Sequence, residues 1–127
     1  MREKSFAAKG DAVIVTGAAG GIGAATVENL VNQGIFVFAV DRNAEALTKI
    51  LASIDPKGAL TQAIAIDVTS EKECQEVCGI AKKKGIRVKG LVNNAAVGAF
   101  NMSVESTSFE DWQRIISINL TSLYLMA

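Results

Sequence analysis

Two hydrophobic periods alternate along the chain. Compact apolar runs are each followed by an amphipathic stretch of helical spacing, the order expected of βαβ units around a parallel sheet. Asp11 to Thr16 is a β-branched run that ends in a glycine cluster and reads as a buried first strand. From Ile22 to Gln33 the apolar positions Ile22, Ala25, Leu30 and Val31 fit one helix face, with Gly34 placed as a C-terminal cap. A second strand runs from Ile35 to Val40 and stops at Asp41. A helix from Ala44 to Ser53 follows, with the breaker pair Asp55-Pro56 behind it.

The third strand is placed at Thr61 to Ile66, ending at Asp67. Ser70-Glu71-Lys72-Glu73 has capping-box spacing, and Cys74, Val77, Cys78 and Ala81 then recur at i, i+3, i+4 and i+7, which puts both cysteines in the core. Lys82, Lys83 and Lys84 close this helix before Gly85, where cations complement the helix dipole. A fourth strand, Val88 to Val92, ends in Asn93-Asn94-Ala95-Ala96. A second capping box, Thr107-Ser108-Phe109-Glu110, opens one helix from Ser108 to Ala127. The expected fold class is α/β: one half of a doubly wound parallel sheet plus one more βα unit, with the fourth strand left as an open edge. Residues 1–10 form a leader and 11–127 the domain.

Composition narrows the function. The 127 residues are 50% hydrophobic and 20% charged, the composition of one globular domain. Thirteen Lys plus Arg balance thirteen Asp plus Glu, which removes the basic footprint of a nucleic-acid or anionic-membrane binder. With no histidine, the chain can build neither a serine-histidine triad nor a histidine-ligated zinc site, and no metal is expected. Its two cysteines lack the geometry a disulfide prefers, and no window reaches a membrane span or a secretory h-region; a cytoplasmic setting is expected.

The chemistry concentrates where strands hand over to helices. Thr16-Gly17-Ala18-Ala19-Gly20-Gly21-Ile22-Gly23 lies between the first strand and the first helix, where a phosphate-binding turn sits in such a fold. Bare positions at Gly17, Gly21 and Gly23 allow a tight turn, close approach of a pyrophosphate and close helix packing. We take Thr16, Gly17, Ala19, Gly20, Gly21, Ile22 and Gly23 as cofactor-binding. Asp41 ends the second strand 18 residues beyond Gly23, near the offset of a ribose-binding carboxylate. Its charge repels a 2′-phosphate, so NAD is expected over NADP; Arg42 beside it could instead pair with that phosphate. Asp67, followed by Val68, could use its carboxylate and a free backbone N–H to read an adenine edge, or could cap the next helix. Asn94 and Ala95 sit on the same carboxyl edge, whereas the Asn93 amide is assigned to holding the turn.

Asn119 stands out by helical angle. At about 100° per residue it falls in the middle of an apolar stripe of Trp112, Ile115, Ile116 and Leu123. A buried amide without partners costs about 1 to 3 kcal/mol, so it must bond neighbouring backbone or a water and substrate network. Apolar residues on its other faces mean that this helix needs further cover.

From Asp11 to Ala127 the chain resembles the amino-terminal half of a short-chain dehydrogenase/reductase. Thr16-Gly17 through Gly21-Ile22-Gly23 matches the family's Thr-Gly-x-x-x-Gly-x-Gly turn, Asp41 its NAD-selecting acid and Asp67-Val68 its adenine-contacting pair. Asn93-Asn94-Ala95 matches the Asn-Asn-Ala-Gly strand end, with Ala96 in place of the glycine, and Asn119 matches the catalytic asparagine. The resemblance implies a Rossmann-type fold and hydride transfer between a nicotinamide and a small-molecule carbonyl or alcohol. It also implies a homodimer or homotetramer for the intact protein. The family's catalytic tyrosine, lysine and serine have no match here, and Tyr124 reads as a packing residue. The chain is therefore expected to stop before the family's Tyr-x-x-x-Lys and to bind cofactor without turnover. Two alternatives are a non-catalytic nucleotide-binding remnant and, more remotely, an S-adenosylmethionine methyltransferase. The stretch Val97 to Met102 is expected to face the substrate.

Overall fold

A computed structural model describes residues 7, 9–98 and 103–127 of the chain. Four parallel strands form one sheet in the order β3-β2-β1-β4, with β1 Asp11–Thr16, β2 Phe36–Asp41, β3 Thr61–Ala65 and β4 Arg87–Val92. The helices are α1 Gly21–Asn32, α2 Ala44–Ile54, α3 Glu71–Lys84 and α4 Phe109–Ile116, followed by a π-helical turn Ser117–Thr121 and α5 Ser122–Met126.

The two central strands, β1 and β2, are buried on both faces because their apolar residues alternate between two cores. Ala12, Ile14, Phe36, Phe38 and Val40 point to one core, closed by Cys74, Val77 and Ala81 of α3 and Met126 of α5. Val13, Val15, Val37 and Ala39 point to the other, closed by Val27 of α1 and by Leu47 and Leu51 of α2. Ala7 packs into this second core, so the expected leader contributes at least one core residue. At the amino ends, buried Asp11 takes two hydrogen bonds from Arg87, at 2.6 and 2.9 Å, clamping β1 to β4. β1 and β4 are adjacent although far apart in sequence, so the chain reverses direction across the sheet between them. Such a switch opens a crevice at the carboxyl edge.

Local chemistry sets the ends of the elements. Asn43, Ser70 and Ser108 accept hydrogen bonds from the amides of Ala46, Glu73 and Asp111 and so cap α2, α3 and α4. The last of these moves the expected cap by one residue: Ser108, extended and accepting from Asp111 N, is the cap in place of Thr107. Asp55 behind α2 accepts from Ala59 N, Leu60 N and Thr61 Oγ1, fixing the turn into β3. Burial raises its carboxyl pKa, but these donors outweigh that and hold it below the usual range. Of the lysines that close α3, Lys84 places its Nζ 5.2 Å from the centre of the Phe36 ring.

The structure corrects further expectations for α3 and the final helix. Cys74 is buried, but Cys78 is exposed, because Cys74, Val77 and Ala81 already complete the inward stripe of α3. The final helix is interrupted by the π-helical turn around Asn119. Its inward side carries Ser122 and Met126, while Trp112 is 56% exposed; apolarity on several sides of this helix hides which one faces in. Tyr124 is 82% exposed rather than packed.

Candidate functional site

The carboxyl ends of all four strands open into one cavity of about 810 Å³. The turn from β1 into α1 forms one wall. Gly17 adopts a left-handed conformation, φ +63°, which lets the chain reverse directly after β1. Gly23 brings the first turn of α1 against the Gly17 carbonyl, leaving no room for a Cβ.

A different reason applies at Gly21, where an added Cβ would meet nothing within 4 Å and would project into open space. The first turn of α1 has neither a side-chain cap nor an acidic residue. The first amides of a helix have no intrahelical acceptor. Those of Gly21, Ile22 and Gly23 find none elsewhere among the described residues. Three donors and the positive end of the helix dipole are thus left beside the cavity.

Thr16 and Asn94 hold this turn from behind. The Thr16 hydroxyl is buried, accepts from Asn94 N and Ala95 N at 3.0 Å each, and donates to Val92 O at 3.4 Å. The Asn94 amide donates to the carbonyls of Thr16 and Gly17 at 3.1 and 3.2 Å. The turn-holding role expected of Asn93 therefore falls to Asn94, and Asn93 is exposed. Replacing Thr16 by valine removes the acceptor shared by two backbone amides. We expect Thr16→Val to lower the unfolding free energy by about 2 kcal/mol in a denaturant titration; a loss under about 0.5 kcal/mol would contradict the brace.

Asp41, at the end of β2, accepts from Ala19 N at 3.0 Å through Oδ2 and from Asn43 N at 2.9 Å through Oδ1. It thereby joins the glycine turn to the start of α2. Arg42 next to it is exposed.

The end of β3 is wired more tightly than its sequence suggests. Asp67 accepts from Thr69 N and from Thr69 Oγ1, at 2.9 and 2.7 Å. These two bonds hold its carboxyl below the ordinary range against the opposing effect of burial, with the Arg42 guanidinium adding to them. The Asp67 backbone N–H, read from sequence as free, donates to Glu73 Oε2 at 2.8 Å. The Val68 carbonyl accepts from the Cys74 thiol at 3.3 Å, a proton that burial and the nearby Asp67 and Glu73 carboxylates keep on the sulfur. Asp67 Oδ2 and the Val68 N–H are left without partners among the described residues.

Asn119 makes a closed pair with the backbone of Val97: Oδ1 accepts from Val97 N and Nδ2 donates to Val97 O, both at 2.8 Å. Of the two partners open to it from sequence, it takes neighbouring backbone. The π-helical turn supplies an extra residue at this point, a device frequent at functional sites.

Eleven of the residues singled out from sequence line the cavity: Gly17, Gly20, Gly21, Ile22, Gly23, Asp41, Arg42, Asp67, Val68, Asn94 and Ala95. Thr16, Ala19 and Asn119 do not line it; they hold residues that do. Sequence reasoning missed Ile66, Thr69, Arg114, Ser117 and Ile118 on the wall. Ile66 and Thr69 flank the Asp67-Val68 pair and could have been found by extending it. The other three arrive only when the last helix crosses the strand ends. Of the stretch expected to face substrate, Val97 lines the cavity, Gly98 is exposed and residues 99–102 lie outside the described residues.

A four-stranded parallel sheet wound on both faces, with an open anion-ready turn at its carboxyl edge, defines a Rossmann-type nucleotide-binding fold. The family model described as short chain dehydrogenase matches residues 11–127, and the chain belongs to that family of oxidoreductases. It is 32% identical over 116 residues to 2,3-dihydro-2,3-dihydroxybenzoate dehydrogenase of Bacillus subtilis, covering 91% of this chain and 44% of that protein. The crystal structure of an NAD+-bound xylitol dehydrogenase superposes with a TM-score of 0.85 at 33% identity, covering 97% of this chain and 46% of that one. A metagenomic short-chain oxidoreductase in complex with NADP also superposes with a TM-score of 0.85, at 31% identity, over 94% of this chain and 54% of that one. The chain spans about half the length of these relatives. Membership of this family sets aside the methyltransferase reading. Among the described residues no helix is long and apolar enough to cross a membrane, and no cluster of candidate metal ligands occurs.

Proposed function

We propose that the chain is the cofactor-binding part of a nicotinamide-dependent oxidoreductase acting on a small-molecule alcohol or carbonyl, with NAD preferred to NADP. The observation that carries this reading is the vacant side of Gly21. Among the described residues no packing requires glycine there, and the position lies in the first turn of α1, whose leading backbone donors lack acceptors. A Cβ would fill the space that a pyrophosphate needs.

The remaining wall fits the rest of a dinucleotide. Each Asp41 oxygen accepts one backbone N–H and keeps a lone pair for a ribose hydroxyl. Its charge disfavours a 2′-phosphate at the same place. Asp67 Oδ2 as acceptor and Val68 N–H as donor complement the 6-amino group and N1 of adenine, and mismatch a 6-oxo base. Asn119 keeps Val97 and the strand end in place. When bound, the nicotinamide supplies hydride exchange with the substrate carbon. Proton transfer to or from the substrate oxygen needs the family's tyrosine, lysine and serine, which match no residue of this sequence.

Calorimetric titration with NAD, paired with amide NMR spectra, tests this reading. Saturable binding at one site is expected, with shifts centred on the amides of Gly21, Ile22 and Gly23. Absence of binding, or shifts elsewhere only, refutes it.

A further inference from the structure

Ala96 stands where the strand-end motif that this chain otherwise matches carries glycine, and the binding scheme above leaves it without a role. It lines the cavity just beyond β4, between two residues that are tied to the fold. On one side, Ala95 donates its N–H to the buried Thr16 hydroxyl at 3.0 Å. On the other, Val97 has both its N–H and its carbonyl taken by the Asn119 side chain, at 2.8 Å each. Ala96 itself makes no hydrogen bond among the described residues and is exposed. Most of the surface that an alanine can expose is its methyl group, so this pinned stretch presents a methyl to the cavity.

The order of the strands decides which part of a dinucleotide meets that methyl. Asp41, the carboxylate for the adenosine ribose, ends β2, and the phosphate turn follows β1. β4 lies on the far side of β1 from β2. The groups beyond the phosphates, the second ribose and the nicotinamide, therefore run out over the end of β4. Glycine at such a place leaves the backbone open to close approach. A methyl on a segment held at both ends cannot be pushed aside.

We propose that Ala96 is a specificity-determining residue: its methyl limits how closely the nicotinamide half packs against the end of β4, while the adenosine diphosphate half binds independently of it. The inference rests on the cofactor reading above. The native chain thus draws less of its affinity from the nicotinamide half than a chain with glycine at position 96. A larger side chain there leaves a site that still holds adenosine diphosphate.

The test is a calorimetric titration of the full chain, Ala96→Gly and Ala96→Val with NAD and, separately, with ADP. ADP carries the adenosine ribose and both phosphates but nothing beyond them, so its affinity reports the fold and the ends of β1 and β2 alone. ADP affinity is expected to stay within about twofold in all three proteins. NAD affinity should rise about threefold or more in Ala96→Gly and fall about tenfold or more in Ala96→Val, the scale on which one or two carbons in a site discriminate. A native chain that binds neither NAD nor ADP defeats the cofactor reading itself. NAD affinity in Ala96→Gly that stays within about twofold of native overturns the role of Ala96 alone, as does an unchanged NAD-to-ADP ratio in Ala96→Val. So does a parallel change in both affinities, the behaviour of a displaced strand end.

Discussion

Gly23→Ala should abolish NAD binding and destabilise the fold by about 3 kcal/mol, whereas Gly21→Ala, two residues earlier, should bind NAD at least about tenfold more weakly in a fold no less stable than the native one. The contrast comes from what each missing Cβ would touch. At Gly23 it would collide with the Gly17 carbonyl and lie 2.8 Å from Asn94 Nδ2. The obstructing carbonyl is backbone in a turn that the buried Thr16 hydroxyl and the Asn94 amide already hold, so no rotamer change relieves it. Either the first turn of α1 moves off the sheet or the strand end shifts, and both displace the donors at Gly21 to Gly23.

At Gly21 the added methyl meets nothing within 4 Å among the described residues. Replacing a helical glycine restricts the unfolded chain, so stability should hold or rise by up to about 1 kcal/mol. Only a ligand would feel that methyl. Chemical denaturation and NAD titration of both variants check the pair. Full NAD affinity in Gly21→Ala would mean that the phosphates do not lie against this turn.

The second large effect concerns charge at the end of β2. Asp41→Ala should shift the NAD-to-NADP affinity ratio by about 100-fold towards NADP, corresponding to the few kcal/mol that juxtaposed like charges cost. Two changes add in the same direction. The carboxylate that would face a 2′-phosphate disappears, and exposed Arg42 becomes the nearest charge in the sequence to that position. NAD affinity should itself fall, because Ala19 N and Asn43 N lose their acceptor and the glycine turn loses its tie to β2. Competitive titration with both dinucleotides measures the ratio, and an unchanged ratio would remove Asp41 from cofactor selection.

Much of this molecule was legible in the chain because its information is local. Strand residues from Asp11 to Thr16 and from Ile35 to Val40 are apolar runs bounded by glycine and aspartate, and only a buried parallel strand suits them. The order of strands and helices, the glycine turn and the acids that end β2 and β3 all follow from such runs. For the same reason the residues with the wrong assignment are those whose partners are distant. Cys78 and Trp112 sit at the edge of an apolar stripe, where a shift of one position decides between core and solvent, and only the neighbouring layer fixes it.

Hydrogen-bond partners divide the site in the same way. Sequence spacing brings Thr16, Asp41, Asp67 and Asn94 to one edge of the sheet, because each ends a parallel strand. It does not say that Thr16 is consumed by Asn94 and Ala95, nearly eighty residues away in the chain, or that Asn119 closes on the Val97 backbone. Nor does it reveal that Glu73 bypasses Ser70 for Asp67. A lone polar group can satisfy itself with many donors and acceptors at similar free energy, so its choice depends on which ones the packed layers bring within about 3 Å. The sequence by itself determined the element order, the two-faced parallel sheet and the bare turn, since periodicity and backbone freedom are properties of adjacent residues. The tertiary structure alone decided which of the polar groups at the sheet edge are spent on the fold and which remain open to a ligand.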